Sequence, residues 1–287
     1  MFPGDQFASH YATVNGLRMH YIDEGQGDAV VLVHGNPTWW YYFRNLITVL
    51  RKRFRVIVPD HIGSGMSDKP RSFEYTLKNH IDNLAALFDR LHLSTTSLVL
   101  HDWGGAIGLG AAAQREVGLE KLVILNTAAF RSNRIPLRIR VCRWPLIGAL
   151  LVKGCNAFAR GATFMAVAQP MKRDLAAAYV KPYTSWKTRI GVHEFVKDIP
   201  LHPRHRSYQT LVDVERYVDR LAGNPPEMAI IWGGRDFCFN DHFYHEWRRR
   251  FPAAHSHYFD DCGHYILEDG AGRVEPLIEN FLSGSST

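Results

Sequence analysis

The sequence predicts an α/β fold, a mostly parallel central sheet flanked by helices, with a helical cap inserted between two core strands. Three observations carry this. Short runs rich in Val, Ile and Leu alternate with helical patterns through residue 126; the alternation stops from 127 to 211; it then resumes to the C-terminus. Buried strands alternating with helices imply a parallel sheet covered on both faces. The expected organisation is a core of residues 1–126 and 212–287 and a cap of residues 127–211.

Each element follows from local pattern. LRMHYIDE (17–24) reads as an edge-type strand and AVVLVH (29–34) as a buried one. RVIVP (55–59), TSLVLH (96–101) and KLVILN (121–126) are further apolar runs closed by turn residues. Helical patterns fall at about 39–50, 76–91 and 103–117. After the cap come EMAIIWG (227–233), a helix near 241–250, the strand HSHYF (255–259) and a last helix near 264–282.

Composition narrows the class. Of 287 residues, 46% are hydrophobic and 22% charged, a globular balance able to bury a core. The net charge of +6 reads as a solvated basic face, because no nucleic-acid-binding module accompanies it. The stretch holding Arg131, Arg134, Arg138, Arg140 and Arg143 stays open as a partner surface. Cys142, Cys155, Cys238 and Cys262 lack C-x-x-C spacing and read as reduced thiols. The N-terminus lacks secretion-signal features, and the strongly apolar stretch 144–152 is too short for an integral membrane segment, so a cytoplasmic location is expected.

The chemistry gathers at strand ends, where open parallel sheets bind ligands. TSLVLH runs into Asp102-Trp103-Gly104-Gly105 and then a helix, the strand–turn–helix context of a nucleophile elbow. No G-x-S-x-G occurs, so Asp102 stands where a serine nucleophile would. Leu100, two positions earlier, is larger than the small residue common there and predicts a slightly opened turn. An Asp at this place also suits a helix N-cap. Two further signals favour catalysis: His264, after the last strand, and Asp236, after the penultimate one, follow the nucleophile–acid–histidine order of α/β-hydrolases. Asn126 ends the alternative acid-bearing strand but is an amide. Asp60 reads as the organiser of its glycine-rich loop. His34, His61 and His101 read as local hydrogen-bonding residues, and His242/His245 and His255/His257 lack a third metal ligand, so no metal is expected.

An oxyanion site needs N–H donors at developing charge, expected from Trp103 and from Asn36 in the His34–Pro37 loop. An Asp nucleophile suits displacement at an electrophilic carbon, giving an ester that water can cleave with His264 as base. The Asn36 amide and Trp103 indole add uncharged N–H donors suited to a departing halide or a developing carboxylate.

HGNPTWWYYFRNL, VPDHIGSGMSDKP, HDWGGAIG and GHYILED resemble the haloalkane dehalogenases. LNTAAF, NAFARGA, AYVKPYTSW, FVKDIPL and WGGRDF resemble the third dehalogenase subfamily and, equally, the β-lactone decarboxylases of bacterial long-chain olefin biosynthesis. The resemblance covers nearly the whole chain. It implies an α/β-hydrolase fold, Asp102 as nucleophile, His264 as base, Asp236 as acid, Asn36 and Trp103 as the halide-stabilising pair, no cofactor, and a tendency toward homo-oligomers. Hydrolysis of a hydrophobic haloalkane to alcohol and halide ranks first. Decarboxylation of a 2-oxetanone ranks beside it as the alternative. An epoxide hydrolase, using cap tyrosines among Tyr179, Tyr183 and Tyr208, ranks third. Phe158, Phe164, Trp186 and Phe195 are expected to line the pocket.

Overall fold

The computed structural model describes residues 6–284; residues 1–5, part of the segment without secretion-signal features, and residues 285–287 lie outside the described residues. Among the described residues eight strands form one sheet: β1 (Ser9–Val14), β2 (Leu17–Glu24), β3 (Ala29–Val33), β4 (Arg55–Pro59), β5 (Thr95–Asp102), β6 (Gly118–Thr127), β7 (Glu227–Gly233) and β8 (His255–Phe259). Their order is β1-β2-β4-β3-β5-β6-β7-β8. The β1–β2 and β2–β4 pairs are antiparallel and the rest parallel. β5 therefore lies inside the sheet, and its side chains from Thr96 onward are buried. That burial explains its run of Leu and Val.

Helices α1 (Arg44–Leu50), α2 (Leu77–Arg90) and α3 (Gly104–Arg115) follow β3, β4 and β5. Thr76 caps α2 by accepting from the Asn79 N–H at 3.2 Å. Between β6 and β7 come α4 (Leu137–Val141), α5 (Ile147–Ala149), a π-helical turn at Leu150–Gly154, α6 (Ala157–Met165), α7 (Arg173–Val180), α8 (Ile190–Lys197) and α9 (Tyr208–Gly223). No strand interrupts these described residues. Arg131 pairs with Glu215 of α9, holding the start of this region to the helix that closes it. The chain ends with α10 (Asp241–Arg250), α11 (Ile266–Asp269) and α12 (Val274–Ser283).

Four expectations differ from the structure, the first being β2, which was read as an edge-type strand but pairs with β1 on one side and β4 on the other. β1 escaped the sequence reading, because only Ala12 and Val14 of its six residues are fully buried. The helix expected at 39–50 opens with a 3₁₀ turn, Trp40–Phe43. The helix expected over 264–282 is two helices, separated where Gly272 takes φ +77°.

The Leu100 side chain is fully buried, yet the elbow after it is sharp, with Asp102 at φ +53°. Gly108 supplies the space that the sequence reading sought in an opened turn. A Cβ there would stand 2.5 Å from Leu100 Cδ2. We expect Gly108→Ala to destabilise the protein by about 1–3 kcal/mol through overpacking. Adding Leu100→Val should restore part of that loss, so the pair falls short of additivity in denaturant unfolding. Additive losses would place the strain elsewhere.

Candidate active site

Asp102 sits where β5 meets α3, in a left-handed conformation that a non-glycine residue adopts at a cost of about 1–3 kcal/mol. Its neighbours make room. A Cβ on Gly35 would lie 1.9 Å from Asp102 Oδ1; one on Gly104 would lie 2.0 Å from the Val33 carbonyl oxygen. The Thr127 hydroxyl donates to the Asp102 carbonyl and ties the elbow to the end of β6.

The carboxylate is buried and held at two ends. The Asn36 N–H donates to Oδ1 at 2.6 Å, and the Trp103 N–H also donates to this carboxylate. Oδ2 lies 3.7 Å from His264 Nε2. Burial pushes the Asp102 carboxyl above its ordinary range; the His264 charge and the two N–H donors oppose that shift without cancelling it. The sequence analysis expected these backbone donors to face developing negative charge. They hold the aspartate itself, and its carbonyl is the group that bears the oxyanion when an aspartyl ester is attacked by water.

His264 Nδ1 lies 2.7 Å from Asp236 Oδ2. Burial disfavours the imidazolium, but the Asp236 carboxylate, its hydrogen bond and Asp102 outweigh burial and raise the His264 pKa. Asp236 is fixed in turn. Its Oδ1 accepts from the N–H groups of Cys238 at 2.6 Å and Phe239 at 3.0 Å. Its Oδ2 accepts from Asn126 Nδ2 at 3.0 Å. Asn126 also bridges to the backbone of Gly233, donating to its oxygen at 3.1 Å and accepting from its N–H at 2.8 Å. The sequence reading passed over Asn126 as a carboxylate substitute; its place is beside the acid. An amide at a strand end one strand from the acid was the available signal.

Asp102, His264, Asp236, Asn36 and Trp103 are thus brought together. Asn36, Asp102, Trp103 and His264 face a cavity of about 300 Å³, lined mostly by apolar side chains including Leu77, Phe130, Ile139, Val196 and Leu211. The Asn36 amide nitrogen donates to the Val192 carbonyl oxygen of α8 at 3.1 Å and carries a second hydrogen that this bond does not use. Trp103 packs on Phe195 at 5.4 Å between ring centroids.

Of the four expected lining aromatics, only Phe158 lines the cavity. Phe195 lies behind Trp103, stacked on His80 at 4.2 Å, while Phe164 and Trp186 are exposed. The three tyrosines that an epoxide hydrolase would draw on are outside the lining. Tyr179 donates to Glu268, and Tyr183 to the Thr38 carbonyl oxygen at 3.4 Å. Asp60 organises its loop as expected. It accepts from the N–H groups of Trp40 and Met66 at 2.7 and 2.8 Å and lies 2.9 Å from His20 Nδ1.

Residues 28–141 match the family described as alpha/beta hydrolase fold. Over 288 aligned residues the chain is 46% identical to a cis-3-alkyl-4-alkyloxetan-2-one decarboxylase of Shewanella oneidensis, covering 98% of this chain and 90% of that one. It is 29% identical over 279 residues to haloalkane dehalogenase 2 of Mycobacterium tuberculosis, covering 96% and 95% of the two chains. A crystal structure of a haloalkane dehalogenase from Agrobacterium tumefaciens superposes with a TM-score of 0.88 over 99% of both chains. At 23% identity that likeness shows the fold alone.

Gly35 gives a sharp test of the site. In Gly35→Ala the added Cβ must displace the Asp102 carboxylate. A shift of about 1 Å is expected to lower any turnover that uses Asp102 by roughly a hundredfold, with circular dichroism unchanged. Full activity in a folded Gly35→Ala protein would remove Asp102 from the reaction.

Proposed function

This chain belongs to the α/β-hydrolase family that contains the cis-3-alkyl-4-alkyloxetan-2-one decarboxylases, and we propose that it opens a lipophilic β-lactone through Asp102 and releases an alkene and carbon dioxide. One observation carries this reading: a buried carboxylate with one oxygen in an N–H cradle and the other beside His264, at an apolar cavity, in a chain 46% identical to such a decarboxylase. It reverses the order in which the sequence analysis ranked the two activities.

In this reading Asp102 Oδ2 attacks the ring carbon that carries the ring oxygen. The carbon–oxygen bond breaks, and the ring oxygen leaves as part of a carboxylate still attached to the neighbouring carbon. Trp103 Nε1 and the second Asn36 amide N–H stabilise that developing carboxylate. The bond to the carboxylate carbon then breaks, its electron pair forms the alkene, and the Asp102 oxygen departs as carboxylate. Attack from behind the ring leaves the two departing groups opposed, so a cis lactone gives a cis alkene. Asp236 holds His264 in position, and the imidazolium favours the return of Asp102 to its charged form. Helices α4–α8 are assigned as the cap, which keeps water from the ester. No step consumes water.

Haloalkane hydrolysis is the second reading, and the Asn36 and Trp103 donors at the cavity favour it. There the departing group is halide, and His264 takes a proton from water as that water attacks the Asp102 ester.

Two measurements separate these readings. Incubation with a cis-dialkyl β-lactone should give cis alkene by gas chromatography, and Asp102→Ala should lower that yield at least about a thousandfold. Formation of hydroxy acid without alkene would reject the decarboxylase reading. The second measurement is pH dependence. The His264 pKa is raised, so the neutral imidazole is lost on acidification while the pH is still above about 6.5. Halide release over many turnovers, which needs neutral His264 to free Asp102 from its ester, should decline through that range. Alkene formation, which needs ionised Asp102, should persist to lower pH. Parallel acid limbs would mean that one shared group, His264 or the likewise raised Asp102, limits both activities.

A further inference from the structure

Residues 131–173 contain nine Lys and Arg residues and no Asp or Glu, and of these Arg131 is paired with Glu215 of α9. Among the described residues, eight of the eleven exposed large hydrophobic side chains lie between 137 and 186. A solvated basic face has no need of the second feature. Leu146 is 85% exposed and occupies the centre of a γ-turn, with φ +63° and ψ −57°, closed by the Ile147 N–H donating to the Pro145 oxygen at 2.7 Å. This turn is rare and strained for an L-residue. Here it carries an apolar side chain into solvent.

The apolar and basic groups form one surface. A Cβ on Gly154 would lie 3.1 Å from Leu150 and 3.7 Å from Trp186, and the Lys153 ammonium sits 4.7 Å over the Trp186 ring. Arg138 reaches the Met165 sulfur at 3.4 Å. Arg138 and Met165 also line the cavity, so the surface runs to the rim of the site already described.

We propose that this face seats the enzyme on an anionic lipid bilayer, with the cavity rim toward the lipid, so that lipophilic substrate enters from the membrane. Tryptophan and leucine among cations, in a segment that carries no carboxylate of its own, match the requirements of an interfacial surface. A second copy is the poorer occupant, because a two-fold contact would set one cationic face against another. Among the described residues no helix is long and apolar enough to cross a membrane, so the attachment is peripheral. The purpose of the attachment rests on the lipophilic-substrate reading above; the attachment itself does not.

Flotation of the full-length protein with vesicles tests it without reference to catalysis. The protein should float with phosphatidylcholine vesicles containing phosphatidylglycerol, and remain behind with phosphatidylcholine alone. Arg140→Gln and Arg160→Gln should each weaken partition roughly fivefold. Leu146→Asp combined with Leu150→Asp should weaken it by more than roughly tenfold. Turnover of a short, water-soluble β-lactone or bromoalkane should stay unchanged in all three, which also establishes that they fold. The proposal fails if the wild type does not float with anionic vesicles, or if the variants float as the wild type does. A concentration-dependent dimer abolished by the leucine substitutions, with no flotation, would assign the face to protein contact instead. Flotation without turnover of either substrate would overturn the functional reading and leave this one standing.

Discussion

A charged carboxylate in a buried, left-handed position must be held against two penalties, one of solvation and one of backbone geometry. At Asp102 both are opposed locally. Burial opposes its ionisation, and the N–H groups of Asn36 and Trp103 with the neighbouring His264 oppose burial. The backbone penalty is accepted because the chain around it leaves no alternative path: Gly35 and Gly104 allow the β3 loop and α3 to approach within distances that a methyl group would forbid. The glycines on either side of this contact are consequences of one oxygen atom needing its cradle.

From that point the constraint spreads outward through hydrogen bonds. Asp236 is held by two backbone N–H groups of its own loop and by Asn126 at the end of β6, so its orientation is fixed before it meets His264. The Asn36 side chain joins the β3 loop to α8 through the Val192 carbonyl. Gly191, one residue earlier, approaches so closely that a Cβ would stand 2.3 Å from the Gly63 oxygen. The region between β6 and β7 is thereby anchored at the edge of the cavity, and the Asp60 network keeps the loop carrying Gly63 in place.

The same nucleophile serves two proposed reactions because both begin with displacement at carbon. The second step depends on whether the first leaving group departs or stays tethered. A halide leaves, and the ester waits for water. A lactone carboxylate remains attached and can expel carbon dioxide, returning Asp102 to its free form. His264 is a base in the first sequence and an electrostatic partner in the second, roles that one imidazole fills according to its protonation.

By itself the sequence determined the order of core strands and helices after residue 17, the Asp102 elbow and the positions of its two partners, because each rests on local period or on a residue at a strand end. It could not reveal β1, whose six residues bury only Ala12 and Val14, or the division of the last helix at Gly272. Tertiary structure alone decided that Leu100 is accommodated by Gly108, a residue eight positions away on a packed helix. It alone gave Asn126 its place beside Asp236 and removed Phe164 and Trp186 from the cavity. Those outcomes depend on which surfaces meet across the sheet and on the direction of each short helix between 127 and 211. Neither is written in the period of a single segment, since an apolar side chain faces core, cavity or solvent according to what packs against it.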